Sequence, residues 1–440
     1  MENQISLISA RWVIPVEPSN TVLDYHALVI ENEKIIGLYP TEEALKKFPQ
    51  ANHTDLANHA LIPGLVNAHT HAAMNLFKGL ADDLPLMDWL NNHIWPAEAK
   101  WVNVDFMRDG VELAIAEMLL SGTTSFNDKY FFPDIVAETA QKIGIKANVG
   151  LIVLDFPSVW ASDSDQYFEK GLHVHDSVRS LSLIETSLAP HAPYTVSDEP
   201  LKKVLTYADE LQVPIHMHVH ETAHEVAESV EQHKVRPLSR LRSLGLLNPR
   251  MNAVHMTQLT DEEITLSANQ GISIVHCPES NHKLASGYCR VADLLSAGTN
   301  VALGTDSAAS NNDLDMLGEM RTAALTTKNT SGQANTLPAW QTLEMATING
   351  AKALNRDDRI GSLSVGKFAD ITAIDLNHVS TQPVYDPISQ IVYSASREQV
   401  SDVWVNGKHL VKNKKITTLD IQNTIQKAQA WRDKIINTAD

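Results

Sequence analysis

The feature that most constrains this chain is a regular alternation through its middle. Eight short apolar runs are separated by longer amphipathic stretches. The runs are LVNAHTH, TTSFND, KANVGLIV, LIETSLAPH, VPIHMHVHE, MNAVHM, GISIVHC and NVALGTD, and segments such as DGVELAIAEMLLSG and LKKVLTYADELQ lie between them. Apolar runs of four to eight residues suit buried parallel strands, and the intervening segments carry helical periodicity. Eight such units within about 300 residues predict a (β/α)8 barrel.

A second regularity sharpens the first. Most of the runs end in a polar, ionisable residue: His69 and His71, His191, His218 and Glu221, His255, His276, Asp306. In a (β/α)8 barrel all strands end on one face, and the active site is built there. Residues distant in sequence are thus expected around one point. The flanks read differently. ISLISARWVIPV and ALVIENEKIIGLYP near the start, and FADITAIDL and VSDVWVNGKHLVKNKKI near the end, are strand-like, and Asn406-Gly407 is a hairpin turn. These ends are expected to form a small β-sandwich from residues 1–60 plus 366–417, with the barrel over 61–365. Residues 418–440 read as a C-terminal helix with Ile421, Ile425, Ala428 and Trp431 on its apolar face.

Composition narrows the function. The chain has 440 residues, enough to bury a core without staples, and a formal net charge of -18, which argues against nucleic acid or an anionic membrane surface as partner. Two cysteines, Cys277 and Cys289, do not make a disulfide framework. The N-terminal stretch lacks the apolar region of a signal peptide, and no apolar run reaches spanning length, so a cytoplasmic protein is expected.

His69 and His71 form an H-x-H pair. Alternate residues of a strand share a face, so both imidazoles can reach one ion. A third nitrogen from His218 or a neighbour, and an oxygen from Asp306, complete a set suited to a borderline divalent cation, zinc first and iron second. Such a cation brings a water's pKa to about 7. The structural alternatives are core histidines and, for Asp306, an N-cap of the segment that follows it. His255 alone reads as a satisfied buried histidine; in a ring of strand-end groups it becomes a candidate to steer the nucleophile. His276 is read as structural.

His220, Glu221 and His224 also spell H-E-x-x-H, a metalloprotease motif that requires both histidines on one helix face. The preceding VPIHMHV has strand character, so a helix can begin only near Glu221 or Thr222, and the pair cannot share a face. The protease reading is rejected. A deaminase class built on H-x-E with P-C-x-x-C is set aside, because the chain lacks the second motif.

Taken together, PGLVNAHTH, GTTSFND, APHAPYTVS, HMHVHE, SNHKLASG, LGTDSAASNNDLDM and ATINGAKALNRDDRIGSLSVGKFADI resemble the amidohydrolase superfamily along nearly the whole chain. Within it the chain resembles the 5-methylthioadenosine/S-adenosylhomocysteine deaminases. The resemblance implies one divalent metal per subunit held by His69, His71, His218 and Asp306. Glu221, three residues after its ligand, is the implied acid that protonates the purine ring. Asp306 takes the proton of the attacking water, and His255 orients it. The resemblance further places Trp89, Glu98, His191 and Glu221 against the nucleoside, and it implies a homo-oligomer whose partners are a purine nucleoside and water. One departure stands out. Relatives that use S-adenosylhomocysteine well carry arginines after the third strand, whereas ANVGLIVLDFPSVWASDSDQYFEKG has none, with Leu151 where one would fall. The expected substrate is therefore 5'-methylthioadenosine, with adenosine and S-adenosylhomocysteine lesser ones. Two further readings stand beside it: a relative acting on another amino- or halo-substituted heterocycle such as guanine or a triazine, and a metal-free interaction protein on the same barrel.

Overall fold

A computed structural model describes residues 5–437; the ends of the expected outer segments, 1–4 and 438–440, lie outside it. The chain divides into two compact units. One comprises Met1–Asn67, Glu117–Ser125 and Asp315–Leu419, the other Ala68–Ala116, Phe126–Leu314 and Asp420–Asp440.

The first unit holds a sheet drawn from both ends of the chain. Its strands are β1 (Ile5–Val13), β2 (Leu23–Glu31), β3 (Lys34–Pro40) and β4 (Asn52–Pro63) from the start, with β13 (Ile371–Asp375), β14 (Val400–Val405), β15 (Lys408–Lys412) and β16 (Lys415–Ile416) from the end. Their order is β16-β15-β14-β13-β4-β1-β2-β3. β2 and β14 have three strands between them in that order, yet Leu28 and Trp404 share one core cluster with Ile8, Val13, Leu61 and Ile371. The sheet therefore folds over its own inner face as a two-layered sandwich. The hairpin turn falls at Asn406-Gly407, both with positive φ (48° and 71°), as a two-residue primed turn requires.

The remaining strands are β5 (Leu65–Thr70), β6 (Thr123–Asp128), β7 (Lys146–Val153), β8 (Ile184–Pro190), β9 (Ile215–Val219), β10 (Met251–His255), β11 (Ser273–His276) and β12 (Asn300–Leu303). They lie in sequence order in one sheet, and helices follow them. The result is the (β/α)8 barrel. β5, β6 and β7 are buried at every residue, as expected for strands covered on both faces. The last strand meets the first where Asp306 N–H donates to the His69 carbonyl at 3.0 Å. Gly304 permits this approach, since a Cβ there would lie 2.7 Å from His69 N and 2.8 Å from His69 Cβ.

The C-terminal helix spans Ile421–Asn437, and its inward stripe is Thr424, Trp431 and Ile435. Of the residues expected on its apolar face, Trp431 is buried and Ile425 faces outward at 40 % exposure. The Trp431 ring packs edge-on against Phe106, its indole N–H donates to Asp109, and Lys427 pairs with Asp109 and Glu112. No helix among the described residues is long and apolar enough to cross a membrane.

Candidate metal centre and active site

Four strand ends deliver polar groups to one point. His69 lies in β5 and His71 one residue beyond it; His218 lies in β9, His255 ends β10, and Asp306 follows β12 by three residues. His69 Nε2 is 3.2 Å from His218 Nε2 and 3.3 Å from Asp306 Oδ1, and His71 Nε2 is 3.3 Å from the same oxygen. Two groups meet the geometry for holding an ion: His69, His71 and Asp306, and His69, His218 and His255.

The donor chemistry fits a cation. His71 Nδ1 faces the Lys129 carbonyl, which can only accept. The proton therefore sits on Nδ1, and the Nε2 lone pair points inward, towards an Asp306 oxygen that is also an acceptor. His69 Nδ1 lies 2.8 Å from His216 Nε2, and donation there leaves the His69 Nε2 lone pair inward as well. Lone pairs converging without hydrogens between them repel unless a cation lies among them. Burial opposes a proton on the inner face of His71, but the Asp306 carboxylate beside it outweighs that and raises the His71 pKa, so a proton takes the place between them when no cation does. Burial drives the His69 pKa down to about 3 and holds His218, His191 and His216 well below their ordinary values, so these imidazoles stay neutral. Burial opposes charge on Asp306 too, but the His69 and His71 contacts outweigh it and keep the carboxyl well below the usual range. Its second oxygen accepts from Ser280 Oγ at 2.7 Å and Ser310 Oγ at 3.2 Å. The cap of the following short helix, Ala308–Asn311, is Ser307, which leaves Asp306 free for the centre.

Glu221 sits at the rim of this cluster, 3.7 Å from His255 Nε2, and burial raises its pKa. His255 is itself fixed through Nδ1 to Asn281 Oδ1 at 2.9 Å. The overlapping H-E-x-x-H motif takes no helical form: Thr222 caps the helix Ala223–His233, so His220 precedes it. His220 is buried and its Nε2 accepts from Leu238 N–H, whereas His224 is largely exposed, 4.0 Å from Glu228. His276 is buried and belongs to neither group that meets the geometry for an ion.

Above the centre lies a cavity of about 490 Å³ that includes His71, His218, Glu221, His255 and Asp306 in its lining. Trp89, Glu98 and His191 line it too, so the structure brings all three expected nucleoside contacts to one space. Glu98 and His191 are both perturbed by burial. Burial raises the Glu98 pKa to about 7, although Tyr130 O–H donates to it at 2.6 Å. His191 Nδ1 lies 3.0 Å from Thr195 Oγ1. Leu151, by contrast, turns its side chain towards Gly171; Ile152, Leu154, Phe156 and Val159 form the wall from this segment, and among the described residues no arginine lines the cavity.

Several site residues escaped the sequence reading. Lys129 and Tyr130 follow β6 in the triple Asp128-Lys129-Tyr130. Lys129 is fully buried in the cavity wall, its amine donates to the His191 carbonyl at 2.6 Å, and burial holds its pKa well below the ordinary value. Asp128 Oδ1 accepts the Ala72 N–H at 2.6 Å, which pins the segment after His71. The polar end of TTSFND was the available signal.

Comparison with known proteins places this geometry. The amidohydrolase family model matches residues 60–410. A 5-methylthioadenosine/S-adenosylhomocysteine deaminase of Saccharophagus degradans is 49% identical over 98% of this chain and 96% of its own, and one of Teredinibacter turnerae is 47% identical over 97% of each. The crystal structure of an adenosine deaminase from Xanthomonas campestris with bound zinc superposes with a TM-score of 0.97 at 49% identity, covering 98% of both chains. The converging histidines, the acid beside them and the match along almost the whole length lead to one assignment: the chain belongs to the amidohydrolase family, among the relatives of the 5-methylthioadenosine/S-adenosylhomocysteine deaminases.

Proposed function

We propose that the protein is a metal-dependent hydrolase that deaminates adenosine-type nucleosides at C6, with 5'-methylthioadenosine as preferred substrate, yielding 5'-methylthioinosine and ammonia. The observation that carries this is the convergence of His69, His71, His218 and Asp306 on one point, with Glu221 beside them in the lining of one cavity. Those four residues would hold one divalent cation. The bound zinc of the similar Xanthomonas campestris enzyme supports zinc here. When bound, the cation supplies Lewis acidity that lowers the pKa of a water to about 7.

The chain's own groups supply the proton transfers. Glu221, whose pKa burial raises, donates a proton to purine N1 and makes C6 electrophilic. Asp306 accepts a proton from the attacking water as the C6–O bond forms, and His255, held by Asn281, orients that water. Asp306 then passes its proton to the amino group, the C6–N bond breaks and ammonia leaves. The remaining hydroxyl proton returns to Glu221, which regenerates the acid and leaves the 6-oxo product. Trp89 packs against the nucleoside, Glu98 accepts from the ribose hydroxyls, and His191 lies beside the sugar.

The wall near the 5' end would favour methylthio over an amino-acid tail. Ile152, Leu154, Phe156 and Val159 offer apolar surface there, and no arginine fork waits for a carboxylate. A panel of methylthioadenosine, adenosine, S-adenosylhomocysteine and guanine on metal-replete enzyme tests the reading. Methylthioadenosine should have the highest kcat/KM. Faster turnover of S-adenosylhomocysteine at low concentration would overturn the ranking, and turnover of guanine alone would overturn the substrate class. Glu221→Gln should abolish turnover with metal retained; loss of metal instead would mean that ligand and acid are interchanged.

A further inference from the structure

The proposed acid, Glu221, stands on an irregular turn with no secondary structure of its own. His220 beside it has a φ of +54°, a left-handed conformation that a β-substituted residue adopts only when its surroundings impose it. Those surroundings are specific. The two carboxyl oxygens of Glu225 divide between two consecutive amides: Oε1 accepts from His220 N–H at 2.9 Å and Oε2 from Glu221 N–H at 2.7 Å. The carbonyls of the same two residues face Thr257, whose N–H donates to His220 O at 2.9 Å and whose hydroxyl donates to Glu221 O at 2.7 Å. All four backbone polar atoms of the His220-Glu221 pair are thus held by two side chains and one amide.

We infer that Glu225, with Thr257 opposite it, is the positioning residue that aims Glu221 at the substrate. Glu225 is 4 % exposed, and among the described residues no cationic side chain lies within ion-pair distance of it. A buried acid without a cation is costly, and burial here raises its pKa to about 8. An amide of the same size would avoid that cost, but it presents one acceptor where the turn has two donors. The second acceptor is what the carboxyl adds, and it serves the amide of the residue proposed to give the proton. The motif H-E-x-x-H thus conceals a different pair: the partner of Glu221 is Glu225, one position past the motif, with its carboxyl turned back onto the strand end.

This inference rests on the role proposed for Glu221, and the test separates the two. Glu225→Gln, Glu225→Ala and Thr257→Val are compared with Glu221→Gln and with Glu228→Gln, a control on the exposed side of the same helix. The readouts are metal per subunit, and kcat and KM for methylthioadenosine. A misaimed acid costs turnover, whereas ground-state binding rests on Glu98, His191 and the apolar walls. Glu225→Ala should therefore lower kcat on the order of 100-fold with KM within about threefold and metal unchanged; Glu225→Gln, keeping one acceptor, should fall on the order of 10-fold. Glu228→Gln should match wild type. If Glu225→Ala does not fold, Glu225→Gln and Thr257→Val decide. The inference is overturned if both retain wild-type kcat, or if KM or metal content changes in step with kcat, the mark of a merely structural role. If Glu221→Gln itself turns over normally, the proposed function fails instead, whatever Glu225 does.

Discussion

Replacing Glu98 by Gln should make the protein more stable and a worse enzyme, and the two effects should separate by pH. Burial raises the Glu98 pKa from its ordinary 4.5 to about 7. The folded state therefore keeps a proton between these values that the unfolded chain releases. Stability falls as pH rises through that window, and the full cost of about 3 kcal/mol is present above pH 7. Glutamine carries no such cost. It keeps an acceptor for Tyr130 O–H, now 2.6 Å from the carboxyl, but a neutral bond is weaker than a charged one by about 1 kcal/mol. The net gain is about 2 kcal/mol above pH 8. For 440 residues the unfolding entropy is about 0.9 kcal/mol/K, so Tm should rise about 2 °C at pH 8.5 and by less than about 1 °C at pH 5, where folded Glu98 keeps its proton and only about a quarter of the cost is present. In the same variant kcat/KM for the nucleoside should drop ~10- to 100-fold, mostly through KM, because ribose hydroxyls lose a charged acceptor. Calorimetry at the two pH values and initial-rate kinetics test both halves. An equal Tm change at pH 5 and 8.5, or an unchanged KM, would refute the reasoning.

Other expectations follow from the same contacts. His216→Phe removes the imidazole that orients His69, and metal affinity measured by chelator competition should weaken ~10- to 100-fold. His224→Ala should leave metal content and turnover unchanged, since that side chain is 65% exposed; a large loss would revive the protease motif. Phe156→Ala should lower kcat/KM for methylthioadenosine roughly 3- to 10-fold while adenosine changes little, because the half-exposed ring contributes apolar surface only to the 5' group. Tyr130→Phe should move the acidic limb of kcat/KM to higher pH, as the phenol is what holds the Glu98 pKa down.

The barrel and the inner ring of its site were legible because both follow from local pattern. A buried run that stops at a histidine or an acid announces a strand end, and barrel topology gathers strand ends without further information. Thus His69, His71, His218, His255 and Asp306 could be placed from sequence, and so could the absence of a helix under His220. Partners that reach across the barrel could not. His216 meets His69 over 147 positions and Lys129 meets His191 over 62, and no spacing encodes such contacts. Leu151 shows the same limit within one strand. Alignment of motifs put it where an arginine would stand, but the alternation of side chains in β7 sends Leu151 towards Gly171 and gives the cavity Ile152. In the helix Ile421–Asn437 the buried stripe is Thr424, Trp431 and Ile435; of the four residues expected inward, Ile425 lies outside, because isoleucine at a helical spacing does not by itself fix the rotation.

The backbone at these strand ends explains why the ring is built as it is. His220, His255 and Asp306, after or at the end of β9, β10 and β12, all have positive φ, at 54°, 74° and 62°. Each such residue costs on the order of 1 kcal/mol or more, and none is glycine. A strand that continued regularly would send its next side chain outward into the helical layer. A left-handed residue instead turns the chain sharply, so that the polar side chain at the turn, or the one beside it, points across the mouth of the barrel. Glycine would relieve the strain, but at His255 and Asp306 it would lose the imidazole or carboxyl that the turn presents, and at His220 the imidazole that accepts the Leu238 N–H. The strain is held in place by hydrogen bonds that would otherwise look redundant: Asn281 on His255, Ser280 and Ser310 on Asp306, Glu225 and Thr257 around His220. These supporting residues belong to the site as much as the proposed ligands do, since the geometry they enforce is one that the backbone alone would not keep.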